Sequence, residues 1–480
     1  MPSQSSAPSW RTAFLARLEH LTFAWFTSSM SLGGIANLLL SRIIDSTPLF
    51  YVGTTLYLLN LLYILILVSL QIARFTLTRA SLRWTLSHPL ECCFVPTVLL
   101  ACATSINGLA LILGDLPARG WEMVLRVLFW AYFTSSLLIS LVCYTSLFSR
   151  GEQSLHHMSP AWVLPIFPLM LCGSVAAVVV PTQTPTAALA MAIGGLTCQG
   201  LGFGVSCMMY AVLLLRLMTE GWPPAKARPG LFMNCGPPAF TILCLLGLNS
   251  EAGRILPVSG TQWGPLAGQM LAVMATVTSI ALWMLSAWFY LLTLASLVQL
   301  VWDREERARM EFMLAWWASV FPNTGFAMAT NELGTVLGSS AVRGVAKGMV
   351  VWLLIVFIGV AVMHVRAVVR REIMVEGKDE DRVIDTMFHR DLTGDVESGR
   401  TEKRPEHAQR EKEEEEAHSP YSSPPTYPST PAVSVRKLDM KEPEGQDDIT
   451  AEDSSPSSST AHTPWSSQLR MTPLAPSSSH

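Results

Sequence analysis

The sequence predicts an all-α integral membrane protein, with ten transmembrane helices paired as five helical hairpins around a central pore. Three observations carry that prediction. Half of the 480 residues are hydrophobic and only 14% are charged, against roughly a quarter in ordinary soluble domains. The polar residues gather beyond position 371, which leaves residues 20–370 more apolar than a soluble core. Within that region, apolar runs of about 20 residues, the length that crosses a bilayer, recur ten times, and every second one is interrupted by proline or glycine.

The runs lie at 21–41, 49–72, 91–113, 121–148, 161–181, 187–215, 231–249, 265–301, 312–337 and 345–369. No charged-then-apolar segment with a small-residue cleavage site precedes the first, so it is expected to stay as a helix. It carries Gly33-Gly34 inside FTSSMSLGGIANLL, and the third carries Pro96, Thr104, Ser105 and Asn107. The fifth holds Pro165, Pro168 and Gly173; the seventh, Asn234-Cys235-Gly236-Pro237-Pro238; the ninth, Pro322-Asn323-Thr324-Gly325. Runs two, four, eight and ten read as plain apolar helices. Run six adds Gly194-Gly195 and QGLGFG at 199–204, and run eight is long enough to tilt or to extend past the bilayer. Interrupted helices free backbone groups that are tolerated at membrane depth only beside protein or a water-filled cavity. Glycine also lets helices pack closely. Five alternating cases favour an inner ring of odd-numbered helices, with the even-numbered ones outside it.

Lysine and arginine placement sets the orientation. Arg11, Arg17, Arg74, Arg79, Arg83, Arg150, Arg216, Lys226, Arg228, Arg304, Arg307, Arg309, Arg370 and Arg371 fall on one side. The other side has Arg42, Arg119, Arg254 and Arg343, with Lys347 opening the tenth run. The excess marks the cytoplasmic side and places both termini there. The chain divides into a cytoplasmic N-terminal tail (1–17), a ten-helix domain (18–371) and a cytoplasmic C-terminal tail (372–480). The last contains EKEEEE at 411–416 and SSPSSST at 454–460 and is expected to be disordered. Its serines and threonines could accept regulatory phosphates, and Lys403, Lys412, Lys437 and Lys441 could accept ubiquitin.

Several classes are excluded. All nine cysteines lie in apolar runs, as small packing residues rather than a disulfide framework. The histidines show no metal-ligand spacing. QGLGFG is not a correctly spaced dinucleotide motif after a strand. No nucleophile–base constellation stands out, so no enzyme, cofactor, metal or nucleic-acid partner is expected.

The residues also carry a family resemblance. The stretches are LEHLTFAWFTSSMSLGGIANLL (18–39), SPAWVLPIFPLMLCG (159–173), QGLGFG, ARPGLFMNCGPPAF (227–240), WWASVFPNTGFAMAT (316–330) and GKDED (377–381). Over residues 15–382 the chain resembles the fungal malic acid transport proteins, or C4-dicarboxylate transporters. These group with bacterial tellurite-resistance/dicarboxylate proteins, plant slow anion channels and fungal sulfite exporters. The resemblance implies five hairpins around a pore that a phenylalanine plugs, here Phe321. It also implies proton-linked uptake of malate and related dicarboxylates at the plasma membrane, and a homotrimer. Asn331-Glu332 departs from the malate branch toward the sulfite exporters. The alternatives are an anion channel or sulfite exporter of this fold and, more remotely, a non-transporting membrane receptor or scaffold.

Candidate site residues follow. Pro322, Gly325, Gly236, Pro237, Pro238, Pro165, Pro168, Gly33 and Gly34 are expected to break the inner helices. Ser28, Ser29, Ser31, Asn37, Thr104, Asn107, Asn323, Thr324 and Thr330 are expected to line a weakly binding polar path, helped by half-helix N-termini. Glu332 follows Phe321 by eleven residues on nearly the same helical face, about 16 Å away along an undistorted helix. It is a candidate proton-coupling acid; the plainer alternative is a solvated carboxylate or a pair with Arg343. Arg126, in the fourth run, is a candidate substrate contact or a partner of Glu122. Arg216 and Arg228 are expected to snorkel to the interface.

Overall fold

The computed structural model describes residues 10–78, 80–114, 120–151, 155–256, 266–308 and 310–374. The sequence expectations for residues 1–9 and 375–480, including GKDED and the tail's modification sites, lie outside the described residues. Among these residues every regular element is helical. The helices are α1 (Trp10–Glu19), α2 (Phe26–Leu40), α3 (Thr47–Leu77), α4 (Leu82–Ser87), α5 (Pro89–Phe94), α6 (Thr97–Leu113) and α7 (Trp121–Arg150). They continue with α8 (Phe167–Val179), α9 (Pro185–Glu220), α10 (Gly236–Ile255), α11 (Ala267–Trp302), α12 (Arg304–Ala308), α13 (Phe321–Val336) and α14 (Ser340–Val369).

Two kinds of helix alternate. α3, α7, α9, α11 and α14 are continuous over 30 to 36 residues, about 45–54 Å at 1.5 Å per residue. That exceeds a hydrocarbon core of about 30 Å, so they must tilt or protrude. α2, α6, α8, α10 and α13 run for only 13 to 20 residues. Each follows a short helical piece: 3₁₀ turns at Phe23–Trp25, Pro160–Val163, Ala225–Cys235 and Leu314–Ser319, and α5 before α6. The prolines explain the starting points. Pro96, Pro168, Pro237-Pro238 and Pro322 sit at the cap or first turn of α6, α8, α10 and α13. There a missing N–H has no intrahelical acceptor to lose and a fixed φ suits the helix. Pro165 lies between the 3₁₀ turn and α8. Gly33, Gly34 and Gly325, expected at breaks, lie instead inside unbroken α2 and α13. In the first run the interruption is at Phe23–Trp25, without proline.

Packing separates the two kinds. α2 packs on α6, α6 on α8, α8 on α10, α10 on α13, and α13 back on α2, so contacts among the short helices close a ring. α3, α7, α9, α11 and α14 each pack on the ring helix that precedes them, and each also touches a second ring helix. The most apolar windows at Phe23–Leu40 and Ala225–Ile255 are 89% and 78% buried, against 22–28% for the five long helices. Leu58, Leu65, Val127, Leu138, Met208, Val273, Leu291, Ile355 and Val362 all face outward from the long helices. An apolar outer face on that scale requires a hydrocarbon surrounding. Among the described residues, eight stretches have the length and composition to cross a membrane: Phe23–Leu40, Thr47–Leu77, Pro89–Leu113, Trp121–Arg150, Pro185–Glu220, Ala225–Ile255, Ala267–Trp302 and Ser340–Val369. The runs expected at 161–181 and 312–337 are not among them. Phe167–Thr182 is a shorter apolar helix, and α13 has 16 residues, several of them polar.

Two buried cations depart from the expectation of snorkelling. Arg228 is 8% exposed; its guanidinium donates to Glu306 at 2.8 Å and to the carbonyls of Ser296 and Pro223. Arg216 is 3% exposed and donates to the Gly221 carbonyl. Both are turned inward because a backbone or carboxylate acceptor is already there. Arg74 and Glu91 form a similar pair at 2.8 Å, with Thr85 also donating to Glu91 and Arg74 Nε to the Glu19 carbonyl. That network ties α3 to α5 and to the end of α1.

Candidate functional site

Three phenylalanines meet where α8, α10 and α13 face one another. Phe321, the first residue of α13, stacks on Phe240 of α10, with centroids 5.3 Å apart and planes at 28°. Phe167, the first residue of α8, meets Phe321 edge-on at 6.3 Å and 72°, and Phe240 at 6.0 Å and 86°. Both arrangements are ones that ring quadrupoles favour. Phe167-Pro168 and Phe321-Pro322 share one local construction, a phenylalanine starting a helix whose second residue is proline.

The glycines make room for these rings. A Cβ on Gly236 would lie 2.7 Å from Phe167 Cζ, and one on Gly325 would lie 2.7 Å from Phe240 Cζ. On Gly34 it would meet Phe321 Cδ2 at 3.2 Å and Thr324 Oγ1 at 2.9 Å. Gly33 serves another contact, that of α2 with Thr104 and Asn60. Gly34 and Gly325, expected to break their helices, are therefore seats for aromatic side chains, and α2 is the fourth wall of the cluster.

The expected path residues divide by what they touch. Thr324 lies beside Gly34 and donates to the Phe321 carbonyl one turn back. Ser28 pairs with Tyr63 Oη at 2.8 Å, and Ser29 donates to Asn60 Oδ1 at 2.9 Å, so both turn toward α3. Asn37 donates to the Thr104 carbonyl of α6. Thr330 accepts from Trp283 Nε1 of α11, and Asn323 donates to the Ser319 carbonyl. Arg126 Nε donates to Gln183 Oε1 at 3.0 Å, while Gln183 Nε2 donates to the Glu122 carbonyl. Arg126 thus joins α7 to the α8–α9 turn. The carboxamide oxygens of Asn37, Asn107 and Asn323 are buried without a partner among the described residues.

Glu332 is exposed near the far end of α13. Its neighbour Asn331 lines a cleft of about 440 Å³ with Arg42, Asp45, Thr335, Ser340, Arg343 and Lys347. Sequence reasoning also missed Phe167, Phe240 and His364. The repeated Phe-Pro pair was a usable signal for Phe167. His364 is 7% exposed, packs against Trp25, Phe312 and Trp317, and accepts from Trp317 Nε1 at 3.2 Å; nothing around it in the sequence marks it.

A closed ring of interrupted helices, jacketed by long helices with apolar outer faces, defines a multi-pass membrane protein. Residues 20–365 match the voltage-dependent anion channel family, and the chain belongs to that family. A malic acid transport protein of Schizosaccharomyces pombe is 33% identical over 370 residues, 76% of this chain and 82% of that protein. A putative malic acid transport protein of the same yeast is 34% identical over 372 residues, 78% and 85% respectively. A sulfite efflux pump of Arthroderma otae is 26% identical over 324 residues, 66% and 82%. The family and these relatives carry transport names, and none is named as an enzyme.

Proposed function

We propose that the chain carries malate and related C4-dicarboxylate anions across the plasma membrane, coupled to protons, through the ring and past Phe321. The observation that carries this reading is the aromatic cluster: three rings from three ring helices, seated in glycine hollows, as a plug for a narrow path would be. The substrate class is taken from the two relatives named for malic acid transport, each covered over most of its length. The finer topology belongs to the same proposal: ten spans as five hairpins, a domain at 18–371, both termini cytoplasmic and a homotrimeric assembly. Thr324 lies nearest the plug. The carboxamide oxygens of Asn37, Asn107 and Asn323 that lack a partner among the described residues are uncharged acceptors, so they would place no fixed positive charge in the path to trap a dianion. Glu332, on the face of α13 that carries Phe321, is the proposed proton contact.

Sulfite export is the second reading. The Asn331-Glu332 pair and the similarity to a sulfite efflux pump favour it. Uptake of radiolabelled malate against external pH, in cells lacking their own transporter, separates the two. Accumulation driven by a proton gradient supports the carrier. Sulfite export without malate uptake supports the exporter, and large uncoupled anion currents with little preference support a channel.

A further inference from the structure

The cleft beside Asn331 is built from three separate elements. α13 contributes Asn331 and Thr335, one turn apart, and the start of α14 contributes Ser340, Arg343, Gly344 and Lys347. The segment after α2 contributes Arg42, Ile43 and Asp45. Three cations therefore face a space of about 440 Å³ against one carboxylate. Arg343 and Lys347 are four residues apart on α14, hence on one face and about 6 Å apart along its axis. The first turn of that helix, its positive dipole end, borders the same space, although Ser339 Oγ already caps the Val342 N–H.

The cations are also positioned. The Arg42 guanidinium lies over the Phe50 ring, 4.6 Å from its centroid. Its backbone adopts φ 54° after the end of α2, a conformation that glycine fills at less cost. Backbone geometry therefore gives no reason for arginine there. Arg343 rests against Gly334, where a Cβ would come within 2.9 Å of Arg343 Cγ. The lack of a side chain at Gly334 thus seats the stem of the arginine that lines the cleft. Ser340 and the Asn331 amide add neutral donors, while the Thr335 hydroxyl already donates to the Asn331 carbonyl.

We propose that this cleft is a binding site for a small dicarboxylate dianion, where substrate is held before it enters the ring. Arg343 and Lys347, offset along the helix, suit the two carboxylates of one molecule, with Arg42 as a third cation from the segment after α2. Asp45 supplies an acceptor among donors, which suits a ligand that also bears a hydroxyl. Asn331 then has a role: it joins the cleft to Glu332, the next residue of α13. The proposal rests on the dicarboxylate reading above and on the topology that puts this cleft outside. An anionic lipid headgroup offers the same oxyanion chemistry, so the test must distinguish the two sources.

The test measures binding and transport on the full-length chain. In nanodiscs of neutral phosphatidylcholine, succinate should raise the melting temperature saturably, relative to chloride at equal ionic strength. Arg343→Gln with Lys347→Gln should abolish that rise, and Lys347→Arg should keep it. In cells, the double variant should raise KM for malate about ten- to a hundredfold with maximal rate retained, the range that electrostatic focusing supplies. If the double variant does not reach the membrane, Arg42→Gln is read the same way with a smaller change. An unchanged KM and an undiminished succinate response in either variant overturn the proposal. So does stabilisation by phosphatidylglycerol nanodiscs with none from succinate. Absent malate uptake by the wild type, with succinate binding intact, would count against the transport reading alone.

Discussion

Phe321→Ala tests the plug directly. Phe321 is 2% exposed and meets two other rings, at 5.3 and 6.3 Å. Aromatic pairs contribute about 0.5–1.5 kcal/mol each beyond buried area. Swinging the ring aside to pass an anion therefore gives up about 1–3 kcal/mol of pairing. Removing the ring removes that part of the barrier, a gain of about 5- to 150-fold in flux at about 1.4 kcal/mol per tenfold. The same change costs about 3–5 kcal/mol of folding stability, so expression can fall while flux per molecule rises. The assay is radiolabelled anion flux, or current, divided by surface protein measured on an external tag. Phe321→Leu keeps bulk and loses the ring pairing, and should fall between wild type and alanine. Flux per surface molecule equal to wild type in both variants would refute the plug.

Three further outcomes are expected. Glu332→Gln should flatten the dependence of uptake on external pH: under the proposed coupling, wild-type uptake should rise as pH falls and the carboxylate gains its proton, whereas glutamine has none to gain. A variant with an unaltered pH profile excludes Glu332 from coupling. Gly325→Ala gains up to about 1 kcal/mol of helix propensity but drives a Cβ to 2.7 Å from Phe240, an overpacking cost of about 1–3 kcal/mol. A lower melting temperature in detergent is expected, and a higher one would show that the hollow is slack. Glu91→Gln leaves Arg74 buried opposite a neutral partner, at a cost of about 3–5 kcal/mol. Surface expression should drop sharply, and Arg74→Met with Glu91→Leu should restore much of it.

The alternation of helix types was legible because its cause is local. Proline at a first turn and a predominantly apolar run of about 20 residues both announce themselves without reference to the rest of the chain. Glycine was ambiguous. Gly33, Gly34 and Gly325 read as helix breaks on the strength of the alternation, though each alone could be a close contact, and only the position of Phe321, Phe240 and Thr104 across the interface decides between them. The facing of the small polar residues was not legible either. Ser28 and Ser29 turn toward Tyr63 and Asn60, partners more than 30 positions away, and a segment uniformly rich in small residues has no periodicity to show it. Arg216 and Arg228 looked interfacial from their places in the chain. Their burial depends on the Gly221 carbonyl and on Glu306, which no spacing rule connects to them. The cleft that Asn331 lines could not be read from the sequence, because it also draws Arg42 from the other end of the domain.

The ring closes between α2 and α13, and that seam bears on how the protein is made. Ser31 of α2 donates to the Trp317 carbonyl, 286 residues further on, and Arg17 donates to the Val368 carbonyl at a separation of 351. During synthesis from the N-terminus, the first helix reaches the bilayer long before the residues that complete its inner side exist. Until then that side of α2 faces lipid or a temporary partner, and the Ser31 hydroxyl has only the Thr27 carbonyl of its own helix to bond. Contacts of such long sequence separation also form late and slowly. Chains that stop before α13 should therefore be retained and degraded even though four of the five ring helices are present.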